Sequence, residues 1–135
     1  MKLYFCDDIN ISYDQLIKLN DNKKIFLNID NILAINILSK SELRPGNTYL
    51  YTFLIFTCFA IGILIYSIYL SFTNAWWWFI PGIFISFILW NGNRKSVSNN
   101  LTDEALRDRN FYDRIKKING WVYKMDENEA KKYLK

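Results

Sequence analysis

From Thr48 to Phe72 the chain reads TYLYTFLIFTCFAIGILIYSIYLSF, 25 residues with neither a charge nor a proline. As a helix this run would extend about 37 Å, enough to cross a bilayer with some tilt. A second run, Ala75 to Trp90 (AWWWFIPGIFISFILW), has 16 residues. It would reach only about 24 Å, short of the ~20 residues a straight span needs. Local bilayer thinning or an interfacial Asn91 to Asn93 would make up the difference, and a re-entrant or interfacial course is the competing reading. Only Thr73 and Asn74 separate the runs, and so short a link makes successive helices antiparallel neighbours. The pattern predicts a transmembrane hairpin, with helices over 48–72 and 75–91 and an extracytoplasmic turn at 73–74. Its depth in the chain, behind a long patterned segment, argues against a signal peptide.

The flanks follow other periods. In segment 1–47, Lys2 to Cys6 reads as a strand, and Ser12 with Gln15 three residues later is a capping-box signature for a helix carrying Leu16, Ile17 and Leu19. Ile25, Leu27 and Ile29 share one face of a second strand. Asp30 is placed to cap a helix carrying Ile32, Leu33, Ile35, Ile37 and Leu38, either packed on the strands or lying on a bilayer surface. Pro45 and Gly46 break the chain before the first apolar run.

In segment 92–135, Thr102 with Asp103 and Glu104 reads as a helix start, Arg114, Lys116 and Lys117 as its last turn, and Asn119 with Gly120 as its stop. Leu101, Ala105, Tyr112, Ile115 and Ile118 form an apolar stripe on it. Trp121, Tyr123 and Met125 share a face of a third strand. Asp126 with Glu129 repeats the capping pattern before a last helix with Ala130, Tyr133 and Leu134. Each flank is too short to bury a core alone. The expectation is therefore a mainly α-helical integral membrane protein, a two-span hairpin with one small α+β domain that segments 1–47 and 92–135 build together.

Charge orients that hairpin. No Lys, Arg, Asp or Glu occurs from Asn47 to Asn93. Lys40 and Arg44 precede the first run, Arg94 and Lys95 follow the second, and the connecting turn carries no charge. The positive-inside rule then places both termini in the cytoplasm of a multi-pass inner-membrane protein. Trp76, Trp77 and Trp78 at the turn, and Trp90, Tyr49 and Tyr51 at the other end, are the expected interface anchors. Pro81 is expected to kink the second helix. Small residues four apart, Cys58 with Gly62 and Gly82 with Ser86, are the expected packing patches between the helices. A homo-oligomer contact through these patches is the competing reading, and Ser67 and Ser71 are left for a second interface.

The net charge of +4 lies wholly in the distal flank, where residues 94–135 hold eleven basic and seven acidic side chains. Acids interleave with those bases at helical spacing, which suits a salt-bridged surface beside headgroups better than a nucleic-acid site. The chain has no His, which removes imidazole ligands and Ser-His or Cys-His catalysis. Walker, GxGxxG, CxxC, HExxH and GxSxG motifs are absent. Asp7, Asp8 and Asp30 are accounted for by turn and capping roles. No catalytic residue, cofactor or metal is expected, and the two isolated cysteines support no disulfide framework.

The functional expectation is a non-enzymatic membrane protein, in contact with lipid, that presents its cytoplasmic domain to a protein partner. Immunity or exclusion proteins and accessory subunits of membrane complexes share this plan by analogy. The alternative is a membrane-perturbing, depolarising effector that oligomerises through its hairpin.

Overall fold

Alternating apolar side chains build a three-stranded antiparallel sheet in the order β1-β3-β2. The strands are β1 (Lys2–Phe5), β2 (Ile25–Ile29) and β3 (Trp121–Met125). The structure, a computed structural model, describes residues 1–134. It is mostly helical, with α1 (Tyr13–Asp21), α2 (Asn31–Ser39), α3 (Asn47–Thr73), α4 (Phe79–Arg107), α5 (Arg109–Lys117) and α6 (Glu127–Ala130). These elements fall into two compact units, one of Met1–Pro45 with Ser98 onward, the other Gly46–Val97.

In the first unit β3 comes from the distal flank and lies between two strands from the proximal one. Tyr123 sits opposite Tyr4 on one side and Leu27 on the other. One sheet face carries Ile25, Leu27, Ile29, Trp121, Tyr123 and Met125, all buried. Helices supply the rest of that core. The capping box forms as its residues imply, Gln15 N–H donating to Ser12 Oγ and Ser12 N–H to Gln15 Oε1, and α1 buries Leu16 and Leu19. The Asp30 carboxylate accepts from the N–H groups of Ile32 and Leu33. α2 buries Ala34, Ile37 and Leu38 in the same core, so only part of its apolar circumference is exposed.

The distal flank departs from expectation at several points. Thr102 does not start it: α4 already runs through that point, and the Thr102 hydroxyl donates to the Ser98 carbonyl one turn back. The break comes at Asp108, whose extended backbone and side-chain acceptance from Asn110 N–H open α5. The stripe is thus shared by two helices, with Leu101 and Ala105 buried on α4 and Phe111, Tyr112 and Ile115 buried on α5, while Ile118 is 44% exposed. At the stop it is Asn119, φ 54°, that takes the left-handed conformation. Gly120 serves close approach instead, since a Cβ there would lie 2.6 Å from Ile115 Cγ2. Finally, Asp126 makes no side-chain cap bond. Glu129 binds Lys24 and Lys132 at 3.1 Å, and α6 ends at Ala130, before Tyr133 and Leu134.

A chain of hydrogen bonds runs through the core. The Tyr112 hydroxyl donates to the Ile11 carbonyl at 3.0 Å. That spends its only proton, so at the 2.7 Å contact Tyr123 donates to Tyr112. The Cys6 thiol must then donate to Tyr123 at 3.2 Å. Trp121 stacks on Tyr112 at 5.9 Å and donates its indole N–H to the Tyr112 carbonyl. Burial pushes both phenols well above the ordinary tyrosine value of 10.0. A raised folded-state value means that their contribution to stability is complete below about pH 10 and is lost as pH rises beyond it. Tyr123→Phe is expected to cost about 1–2 kcal/mol at neutral pH and to flatten alkaline unfolding above pH 10, both readable from denaturation curves followed by circular dichroism.

The second unit begins with α3, which is 27 residues long. Among the described residues it is the one helix long and apolar enough to cross a membrane. The segment expected to be helical over 75–91 is not continuous helix. Asn74 and Ala75 lead into a single 3-10 turn at Trp76–Trp78, and α4 starts only at Phe79. Pro81 therefore stands in the first turn of α4, where backbone N–H groups have no helical acceptor, and no kink is required. The Trp77 carbonyl, to which Pro81 has no N–H to donate, accepts from Phe79 N–H.

Candidate functional site

The two apolar runs pair as an antiparallel hairpin because α3 offers a line of small and hydroxylated residues along one side. Ala60 and Ser67 are buried there, in a helix otherwise mostly exposed. The Ser86 hydroxyl of α4 donates to the Ala60 carbonyl at 2.9 Å. Asn93 Nδ2 donates to the Phe53 carbonyl at 3.0 Å and to Thr57 Oγ1 at 3.1 Å. Nearer the turn, Gly82 is buried directly against Ser67, and a Cβ on Gly82 would lie 2.0 Å from Ser67 Oγ. As α3 descends through 67, 60, 57 and 53, α4 ascends through 82, 86 and 93.

This geometry reverses part of the expected packing. Gly82 and Ser86 do face the partner helix, but Cys58 and Gly62 do not: Cys58 is exposed, and a Cβ on Gly62 would meet nothing within 4 Å. At 100° per residue, Cys58 and Gly62 lie on the side of α3 opposite Ala60. They floor a shallow apolar groove between Tyr51 and Tyr66 on the outer surface. Ser67, set aside for a different interface, is the residue that meets Gly82. Ser71 instead donates back to the Ser67 carbonyl within α3.

The candidate aromatic residues occupy the two ends of the hairpin. Trp76, Trp77 and Trp78 are all exposed at the turn, with Trp77 stacked on Trp78 at 4.9 Å. Tyr51 and Trp90 are exposed at the other end, and Tyr49 is half-buried. Lys40 and Lys95 are exposed and Arg44 is half-buried. Arg94 is half-buried too, with its Nε wholly covered and without a hydrogen-bond partner. Among the described residues, no three His, Cys, Asp or Glu side chains gather as metal ligands would.

Two features lay outside the sequence reading. Asn93, at the edge of the uncharged run, anchors to two α3 residues, and its amide beside a hydroxyl-bearing helix was the available signal. The open face of the sheet is the other. Leu3, Phe5 and Phe26 are 60%, 57% and 47% exposed there, with Lys124 between Leu3 and Phe26 in the register. Period-2 alternation places these residues opposite the core, but their apolar character breaks the usual polar-out pattern.

No protein-family model, no curated protein and no solved structure matches the chain.

Proposed function

We propose that the chain is a non-enzymatic protein of the inner (cytoplasmic) membrane, whose two-span hairpin holds a small cytoplasmic domain and presents it to a protein partner. The observation that carries this reading is α3. Its 18-residue core has a mean hydropathy of 2.3 and only 11% of it is buried, so its apolar surface calls for lipid as solvent. The apolar part of α4, Phe79 to Trp90, reaches about 18 Å. The second crossing therefore draws on the Trp76–Trp78 turn and on Asn91 to Asn93, with thinning of the bilayer. Lys40, Arg44, Arg94 and Lys95 at one end, against an uncharged turn at the other, put both termini in the cytoplasm.

The partner surface in this reading is the open sheet face. Contiguous exposed apolar side chains on a small domain mark an interaction site, and Lys124 sets a charge among them. The outward Cys58–Gly62 face of α3 leaves room for a second helix in the membrane, from a partner or another copy. An immunity or exclusion protein and an accessory subunit of a membrane complex both fit this arrangement. Crosslinking followed by pull-down from detergent-solubilised membranes tests it. One dominant protein, lost on Phe26→Asp with membrane content unchanged, is the expected result. Collapse of membrane potential on expression alone, with no partner recovered, would replace this reading with the depolarising effector.

A further inference from the structure

Arg94 presents a charge with nothing in its own unit to balance it. From Gly46 to Val97 there is no Asp or Glu, and all five salt bridges among the described residues lie in the other unit. The Nε of Arg94 is fully covered by protein and has no acceptor. That nitrogen is closed to any ligand, but Arg94 as a whole is only half-buried and its guanidinium stays protonated, so an anion can pair with it through its outer nitrogens. The acceptors whose shape matches its planar fork are carboxylate and phosphate.

The surface leading to Arg94 narrows the choice. A groove of about 330 Å³ runs between the helices, walled by Ala60, Ile61 and Leu64 of α3 and by Ile83, Phe87 and Trp90 of α4. The lining is almost wholly apolar, so it suits a hydrocarbon chain better than a peptide backbone. Trp90 ends the groove, and Arg94 is four residues further along α4, one turn on from Trp90 and on the same side of the helix. An apolar channel followed by a cation one turn later matches the layout of a phospholipid, with tail first and phosphate after. Lys95, exposed beside Arg94, adds a second positive charge and favours a lipid with net negative charge over a zwitterionic one.

We propose that the α3–α4 groove and Arg94 form a binding site for a single anionic phospholipid, an acyl chain lying in the groove and the phosphate pairing with the guanidinium. This rests on the membrane reading above. The same phosphate chemistry is offered by free phosphate, but only the lipid fills the groove.

The test uses the full chain purified in detergent. Retention of phosphatidylglycerol and of phosphatidylcholine is measured by native mass spectrometry, with inorganic phosphate as a third probe. The expected result is preferential retention of phosphatidylglycerol, weakened about tenfold in Arg94→Gln, which corresponds to about 1.4 kcal/mol, and partly restored in Arg94→Lys. Helical content by circular dichroism must match across the three proteins. Trp90→Ala, which opens the groove but keeps the cation, is expected to shorten lipid residence without abolishing the headgroup preference. Equal retention of the two lipids, an unchanged Arg94→Gln, or full competition by millimolar inorganic phosphate would overturn the proposal. Carbonate extraction of membranes, run in parallel, separates the two failures. A protein that washes off loses the membrane reading itself, whereas one that stays bound without lipid preference loses only this site.

Discussion

Replacing Gly82 by leucine is expected to disrupt the helical hairpin, whereas Gly62→Leu is expected to leave it intact. The first added carbon at Gly82 would sit 2.0 Å from Ser67 Oγ and 2.1 Å from Ser67 Cβ, inside any tolerable contact distance. Ser67 is buried and near its own helix backbone, its hydroxyl donating to the Leu64 carbonyl at 2.7 Å, so it has little room to yield. The helices must separate, and separation also strains the Ser86 to Ala60 bond a turn further on. Overpacking on this scale costs about 1–3 kcal/mol or more. At Gly62 a side chain points into open space, and leucine there only trades glycine's helix-weakening flexibility for a better helix former. Thermal unfolding in detergent micelles, followed by circular dichroism, reads the contrast. The expected outcome is a lowered midpoint for Gly82→Leu and an unchanged or raised one for Gly62→Leu. The reverse order would mean that the face carrying Cys58 and Gly62 is the packed one.

Trp121→Ala is expected to unfold the sheet-bearing unit while sparing the hairpin. Trp121 is completely buried, stacks on Tyr112 with 13° between the rings, and meets Phe111 edge-on at 6.1 Å. Its removal leaves the Tyr112 carbonyl without the indole donor and opens a large cavity. The typical cost of such a truncation, about 3–5 kcal/mol, is a large share of the ~5–15 kcal/mol that stabilises a small domain. Because β3 is the central strand, loosening it releases β1 and β2 as well. Limited proteolysis of membranes is the direct measurement. Sites in the proximal flank and in the distal flank are expected to become sensitive together, with a protected fragment spanning α3. Cleavage confined to the distal flank would contradict a shared core.

What the sequence reveals depends on whether a segment carries contrast. Strand faces were legible because Asn28 and Lys124 each interrupt an otherwise apolar run, leaving Ile25, Leu27 and Ile29, and Trp121, Tyr123 and Met125, as the apolar alternate sets. The start of α1 was legible because Ser12 and Gln15 satisfy backbone donors locally, whatever the fold does elsewhere. The inward side of α3 was not, because the helix is apolar all around and carries small residues on opposite sides: Cys58 and Gly62 on one, Ala60 and Ser67 on the other. Only the partner helix distinguishes them. Thr102 misled for the opposite reason. Its acidic neighbours make a sound local start, but the helix had already begun at Phe79 and the hydroxyl was taken by Ser98. Pro81 was read against a helix that begins before it by a full turn, and moving that start to Phe79 removes the need for a kink. The orphaned Nε of Arg94 had no sequence signal at all beyond its place among topology-setting charges.

In the membrane reading proposed above, α3 and the apolar half of α4 cross the bilayer as a hairpin with both flanks on one side. The most direct test of this topology is labelling by a membrane-impermeant maleimide of single cysteines placed at Asn74, Ser41 and Asn128, in a chain where Cys58 is replaced by alanine and the buried Cys6 is retained. The account predicts that Asn74→Cys is labelled on intact cells, while Ser41→Cys and Asn128→Cys are labelled only after the cytoplasmic membrane is opened. Labelling of Ser41→Cys and Asn128→Cys on opposite sides, or recovery of all three as freely reactive protein in the soluble fraction, would contradict it.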